Sequence, residues 1–436
     1  MGQEKVKSDE RLGTEKIGKL IFSLALPAVM AQLINVLYNM VDRMYIGHIA
    51  DVGKDALTGL GVAFPIIMLI AAFSAFAGMG GAPLMAIELG RGNREKAEKI
   101  LGNGVTILIF FSVVLTIVFY IFKTPLLYLF GASDTTIKYA LEYLNTYLAG
   151  TVFVQAALGL NMFISSQGRA KTAMFSVLIG AILNIILDPI FIFGFGMGVK
   201  GAALATVISQ AVSAIWVVSF LISKKSSVRI KPKYLKPDFK IIGSIGALGV
   251  SPFIMQATES LICIVFNTGL AKFGGDIYVG SMTILQSVMQ LVVIPVQGIT
   301  QGTQPIISYN FGANRLDRVK ECFKKVLVVT FTLTTVASLA AICFPTVFAR
   351  IFTPEAQLIE LVAQVLPIYM AGVWIFGVQM ACQATFIGLG QAKISLFLAL
   401  LRKVFLLVPM AIILPRIFGV IGIYYAEPIA DITSAI

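Results

Sequence analysis

Charge is scarce in this chain: only 13% of its 436 residues are Asp, Glu, Lys or Arg, against roughly 25% in a soluble domain. A soluble chain of this length needs that polar surface, so two or three ordinary globular domains are excluded. Histidine occurs once, at His48, and the four cysteines (Cys263, Cys322, Cys343, Cys382) show no C-x-x-C spacing. That excludes a disulfide framework and a zinc site, whose ligands come in closely spaced sets. No nucleophile stands with a base at a plausible site, which argues against an enzyme. Residues 1–19 are polar and basic, with no small-residue cleavage site behind a short apolar core, so they do not read as a removable signal peptide.

What fills the chain instead is hydrophobic sequence, 58% of all residues. Apolar runs of about 20 residues recur from Leu20–Ile46 to Ile423–Ile436, each long enough to cross a hydrocarbon core of roughly 30 Å. Twelve such runs are expected as helices, among them Thr172–Phe193 and Val326–Phe348. The last run is too short to span at about 1.5 Å per residue and reads as an incomplete helix. The net charge of +12 forms no continuous stripe or known binding motif, which argues against nucleic acid. Lysines and arginines collect instead on alternate loops: the N-terminal tail, Arg91/Arg94/Lys96/Lys99, Arg169/Lys171, the stretch Lys224 to Lys240, Arg315/Arg318/Lys320/Lys324/Lys325 and Lys393. By the positive-inside rule these loops and the N-terminus are cytoplasmic.

The second half repeats the first at an offset of about 222 residues. Tyr147-Leu-Ala-Gly150 returns as Tyr369-Met-Ala-Gly372, Gly168-Arg-Ala-Lys171 as Gly390-Gln-Ala-Lys393, Pro83 as Pro305 and Gly90 as Gly312; Gly198-Val-x-Gly201 returns as Gly419-Val-x-Gly422 at one residue less. The fold class is therefore an all-α membrane protein, with twelve transmembrane helices in two pseudo-symmetric six-helix bundles. The divisions are a tail (1–19), an N-terminal bundle (20–223), a cytoplasmic linker (224–240) and a C-terminal bundle (241–436). Six spans per half give both halves the same orientation, related by an axis along the membrane normal.

An acid at mid-bilayer costs about 2.5–3.5 kcal/mol on insertion scales, so interior acids are functional candidates. Asp42, Asp188 and Glu259 qualify. Asn35, Tyr38 and Asp42 share one face of the first helix, and Asn184 and Asp188 one face of the fifth. The repeat maps Asp42 to Asn267, Asn184 to Leu406 and Asp188 to Met410, so a cation site is expected in the N-terminal half alone. Desolvation disfavours a charged carboxylate, which makes proton exchange feasible without a metal. The bland alternative pairs Asp42 with Arg43, or places it at the outer interface.

Glu259, with Gln256 before it and Cys263 and Asn267 after it, suits a cationic, partly apolar substrate; equally, it can neutralise Arg402 or Lys403 in the eleventh helix. Gln286, Gln290, Gln297, Gln301 and Gln304 of the eighth helix either line a wet cavity or bond helices together. Met30, Met255, Met282 and Met289 suit an adaptable binding surface or simply the core.

Leu26-Pro27 opening the first helix, Val41-Asp42-x3-Ile46-Gly47 closing it, Gly90-x-Gly92-Asn93 and Gly168-Arg-Ala-Lys171 resemble the multidrug and toxic compound extrusion (MATE) transporters, DinF-like branch, MepA-type. The resemblance covers the chain from Ile17 onward. It implies a monomeric exporter in the plasma membrane, with a V-shaped cavity between two bundles, driven by a proton or sodium gradient and using no cofactor. It also implies a cation network of Tyr38, Asp42, Tyr143, Asn161, Asn184, Asp188 and Thr206, with sodium at Asp42 and Asp188 as the one candidate metal. Small organic cations are the implied substrates, with Glu259, Gln256, Asn35, Asn267, Gln286, Gln290, Met255 and Met289 as candidate contacts. Glu259 resembles the seventh-helix acid of the NorM-like branch, but the tenth-helix acid of that branch has no counterpart between Pro367 and Gly388. Rival readings are a lipid-linked saccharide flippase and a passive channel; the asymmetric acids fit a channel's symmetric rings poorly.

Overall fold

The structure, a computed structural model, describes residues 11–435, without the side chains of Ser260, Cys263, Ile264, Asn267, Ala271 and Asp276. In lipid, backbone polar groups must be satisfied within the segment, and the apolar runs accordingly form helices. The first half holds Ile17–Gly47, Gly53–Gly90, Arg94–Leu129, the bent pair Ile137–Ala149 and Thr151–Ser165, Ala170–Gly194 and Gly198–Ile222. In the second half are Phe239–Phe273, Asp276–Gly312, Leu316–Cys343, Ala356–Gly388, Ala392–Phe418 and Ile421–Ala435. We number these twelve in chain order. Ten helices among the described residues are long and apolar enough to cross a membrane, or eleven with the bent pair taken as one. The twelfth, at 15 residues, is shorter. Apolar side chains such as Phe110, Ile215, Val336, Phe405 and Ile413 are exposed on the outer faces, where lipid tails rather than water solvate them.

Helix ends differ from the hydropathy runs for identifiable reasons. The third helix begins at Arg94, because Asn93 caps it by accepting a hydrogen bond from the Lys96 amide. The run Val326–Phe348 is not one helix. The ninth helix starts earlier, at Leu316, and stops at Cys343, and Pro345 opens a separate short helix to Phe352. A proline disfavours helical geometry in the residue before it, here Phe344. The repeated Tyr-x-Ala-Gly motif marks a break in both halves: a 62° bend at Gly150 and a 3-10 turn at Met370–Gly372.

The first helix packs along the eighth, and the second along the seventh. These pairings exchange under the repeat, as a two-fold relation requires. At the end carrying the basic loops, two repeat-related glycines face each other's helix. A Cβ on Gly90 would stand 2.0 Å from the Tyr309 carbonyl oxygen, and one on Gly312 would stand 2.0 Å from that of Ile87. Only glycine permits backbones this close. Residues 11–15 seal the same end. Leu12 is buried in one cluster with Ala170 and Val319, its carbonyl accepts from Asn310 Nδ2 at 2.8 Å, and Arg318 Nη2 donates to the Glu15 carbonyl at 2.6 Å. The segment 224–240 does not hang free. Gln167 Oε1 accepts from the Ser227 and Val228 amides, and Lys231 pairs with Glu98 of the third helix at 2.6 Å.

Candidate cation site

Helical spacing carries Tyr38 and Asp42 to the inner face of the first helix, opposite Asn184 and Asp188 of the fifth. Just beyond Asp188, Pro189 lacks an amide hydrogen and the helix widens into a π-segment, Ile190–Gly194. Such bulges recur at functional sites. Asp188 is 0% exposed, Asn184 2% and Asp42 7%. Asn184 Nδ2 donates to Asp188 Oδ1 at 3.2 Å and to Thr206 Oγ1 at 3.4 Å. The Asp42 and Asp188 carboxyls lie side by side, close enough for either, if protonated, to donate to the other. Tyr143 is buried and stacks on Tyr147, with ring centroids 5.9 Å apart. Arg43 does not cover Asp42; its guanidinium lies over the Phe64 ring, 4.8 Å from the centroid.

Four buried oxygens in this group have no hydrogen-bond partner among the described residues: Asp42 Oδ1, Asp188 Oδ2, Asn184 Oδ1 and Ser209 Oγ. Asn184 and Ser209 also line a cavity of about 30 Å³, whose other walls include Asn35, Tyr38, Ser176, Thr206 and Gln210, room for one or two waters or a bare cation. Unpaired buried carboxyl oxygens are costly, and a proton or a hard cation bound through oxygen satisfies them. The residues present fit either. Asn35 thus sits with the cation residues rather than with Glu259. Asn161 stands one step away, donating to the Ala173 carbonyl at 3.2 Å and accepting from Ser176 Oγ at 3.1 Å. Its bonds hold the wall of the cavity rather than the acids themselves.

The second half holds two interior acids that the sequence reading did not single out. Glu427 and Asp431 of the twelfth helix are 6% and 0% exposed, and both bind Arg402. Arg402 Nε and Nη2 reach Asp431 Oδ1 at 2.7 and 2.6 Å, and Nη2 reaches Glu427 Oε1 at 2.9 Å. Lys403 Nζ lies 2.5 Å from Glu259 Oε1, so the neutralising role of Glu259 is realised; the Glu259 side chain is nevertheless 60% exposed on its other side. The signal missed in the sequence is a pair of acids four apart in an apolar run.

The other candidate substrate residues differ widely in burial. Met289 is buried among Leu285 and Val292 in the second half's core, and Met255 packs against that core. Gln256 and Gln286 are half-buried, Gln290 is exposed, and the Asn267 side chain lies outside the described residues. Gln301 accepts from Gln32 Nε2 at 3.0 Å, bonding the eighth helix to the first.

The MatE family model matches residues 27–190 and again 252–413. Among curated relatives, the multidrug export protein MepA of Staphylococcus haemolyticus (strain JCSC1435) is 24% identical over 425 residues, covering 96% of this chain and 92% of its own length. MepA of Staphylococcus aureus (strain N315) is 24% identical over 418 residues, with the same coverage. Among solved structures, MATE in the bent conformation is 25% identical with a TM-score of 0.90. The outward-facing conformation of a multidrug resistance MATE family transporter of the MOP superfamily is 24% identical with a TM-score of 0.89. Each match covers 98% of this chain and 95% of the other. Matched twice, once in each half and over most of its length, the chain belongs to the MatE family, whose members are membrane transporters and not enzymes.

Proposed function

We propose that this chain is a cation-coupled antiporter that exports organic, amphipathic cations across the plasma membrane by alternating access. One observation carries the reading: two contacting carboxyls, Asp42 and Asp188, are buried in one half with oxygens that nothing among the described residues satisfies. A proton or sodium ion completes them; when it leaves, two charges are stranded out of water. The first and fifth helices that hold these charges then shift, and because the first helix packs along the eighth, that shift is transmitted to the interface between the halves. The basic loops support a cytoplasmic N-terminus. The end sealed by Gly90, Gly312 and residues 11–15 is then the inner gate. The MepA relatives are multidrug export proteins, which supports an organic substrate for this chain.

Interior cations suited to a saccharide-linked pyrophosphate would favour the flippase reading, but Arg402 and Lys403 are already consumed by Glu427, Asp431 and Glu259. Dye transport in proteoliposomes under an imposed pH or sodium gradient tests the proposal. Asp188→Asn is expected to cut gradient-driven transport at least tenfold. Transport by Asp42→Asn at the wild-type rate against a gradient would refute it, and the gradient that drives uptake names the ion.

A further inference from the structure

The second half contains the counterpart of the first half's cavity, and the chain itself fills it. One repeat on, Gly180 becomes Arg402, Ala181 becomes Lys403, Thr206 becomes Glu427 and Gln210 becomes Asp431. All four first-half residues line the cavity. Where the first half leaves a small cavity walled by Asn184, Thr206 and Gln210, the second places a guanidinium between two acids. A π-segment, Leu401–Leu407, contains both consecutive cations. In a regular helix adjacent residues point about 100° apart; here both are buried, Arg402 at 4% and Lys403 at 5% exposure.

The fit is tight on one side and incomplete on the other. Both Arg402 nitrogens converge on Asp431 Oδ1, and Asp431 Oδ2 is left buried with no partner among the described residues. Within the described residues, Glu259, Glu427 and Asp431 pair only with Arg402 and Lys403, three carboxyls against two cations.

We propose that Glu427 and Asp431 are a second cation site, the repeat partner of the first, which Arg402 occupies permanently as a tethered ion. Its ligand class, with Arg402 removed, is a free guanidinium or a small monovalent cation. A guanidinium does not deprotonate in proteins and a side chain cannot dissociate, so this site does not cycle. Exchange is confined to the first half.

The test uses the full chain in detergent and in proteoliposomes. Arg402→Ala is expected to lower the thermal unfolding midpoint, and guanidinium chloride at low millimolar concentration is expected to recover at least half of the loss. Sodium chloride at equal ionic strength should recover less, and wild type should not move. Equal shifts in wild type and variant, or no recovery by guanidinium, would overturn the proposal. A second variant, Arg402→Met with Glu427→Gln and Asp431→Asn, removes the guanidinium and both its acids together and guards against misfolding of the first. It should be insensitive to guanidinium and should move the same number of coupling cations per substrate as wild type. A changed ratio would show that the site cycles and overturn the proposal. The stoichiometry arm rests on the coupling reading above, whereas the thermal arm does not and stands or falls without it.

Discussion

The two halves share one helical plan and solve the same electrostatic problem in opposite ways. In the first half, Asp42 and Asp188 lie side by side with oxygens left unsatisfied among the described residues, and their neighbour Asn184 lines a small cavity. In the second, Glu427 and Asp431 close on Arg402. An unpaired buried acid invites a mobile ion, while a paired one makes a fixed joint, here between the eleventh and twelfth helices. The duplicated halves thus differ in how their buried acids are met: unpaired oxygens among the described residues of one, a guanidinium in the other.

The sharpest way to break this comparison is to remove one acid from each half and measure stability. Asp431→Ala strands the Arg402 guanidinium beside a single remaining carboxyl; breaking a buried pair this way costs about 3–5 kcal/mol, read as a large drop in the thermal midpoint. Asp188→Asn removes a charge that has no cationic partner and keeps a polar group for Asn184, so its midpoint should hold or rise while coupled transport fails. Equal destabilisation by both would show that the first half is braced too, and the contrast would collapse.

The seam between the halves gives the next effect. Gly90→Ala puts a methyl 2.0 Å from the Tyr309 carbonyl oxygen, and since backbone cannot yield there, the helices must separate. Overpacking of this kind costs about 1–3 kcal/mol. Cysteine labelling at the basic end should become faster in the variant, and faster still with Gly312→Ala, its counterpart across the seam. Unchanged labelling would mean that the contact at Gly90 does not hold the gate.

How much of this was legible in the sequence follows from range. Hydropathy and the repeat offset reveal the helices and the halves, because both signals are local or periodic; even the break at Tyr147–Gly150 has its echo at Tyr369–Gly372. Tyr38, Asp42, Asn184 and Asp188 could be placed on inward faces because spacings of three, four and seven residues survive folding as shared faces. The Glu259–Lys403 pair was one of two readings open in the sequence, but Arg402's pairing with Glu427 and Asp431 was not legible. Its partners lie 25 and 29 residues away on another helix, and a run judged by its length alone hides the acids at 427 and 431. The ninth helix was misread for a similar reason: hydropathy passes straight through Phe344 and Pro345, but backbone geometry does not.

The smallest expected effect lies where the two solutions meet, at Lys403 and Glu259. Lys403 is buried but Glu259 is 60% exposed, so removing the lysine leaves no fully buried charge behind and costs less than breaking the Arg402 pairs. Lys403→Gln should therefore shift the thermal midpoint less than Asp431→Ala does. If an organic cation binds Glu259, removing the Lys403 ammonium frees that carboxylate for it, and a monocationic dye should then bind several-fold more tightly to the variant, as measured by fluorescence polarisation. A neutral dye of similar shape should bind both proteins alike. If Lys403→Gln instead unfolds the chain as readily as Asp431→Ala, the lysine belongs to the brace, and Glu259 is not where substrate and tethered cation compete.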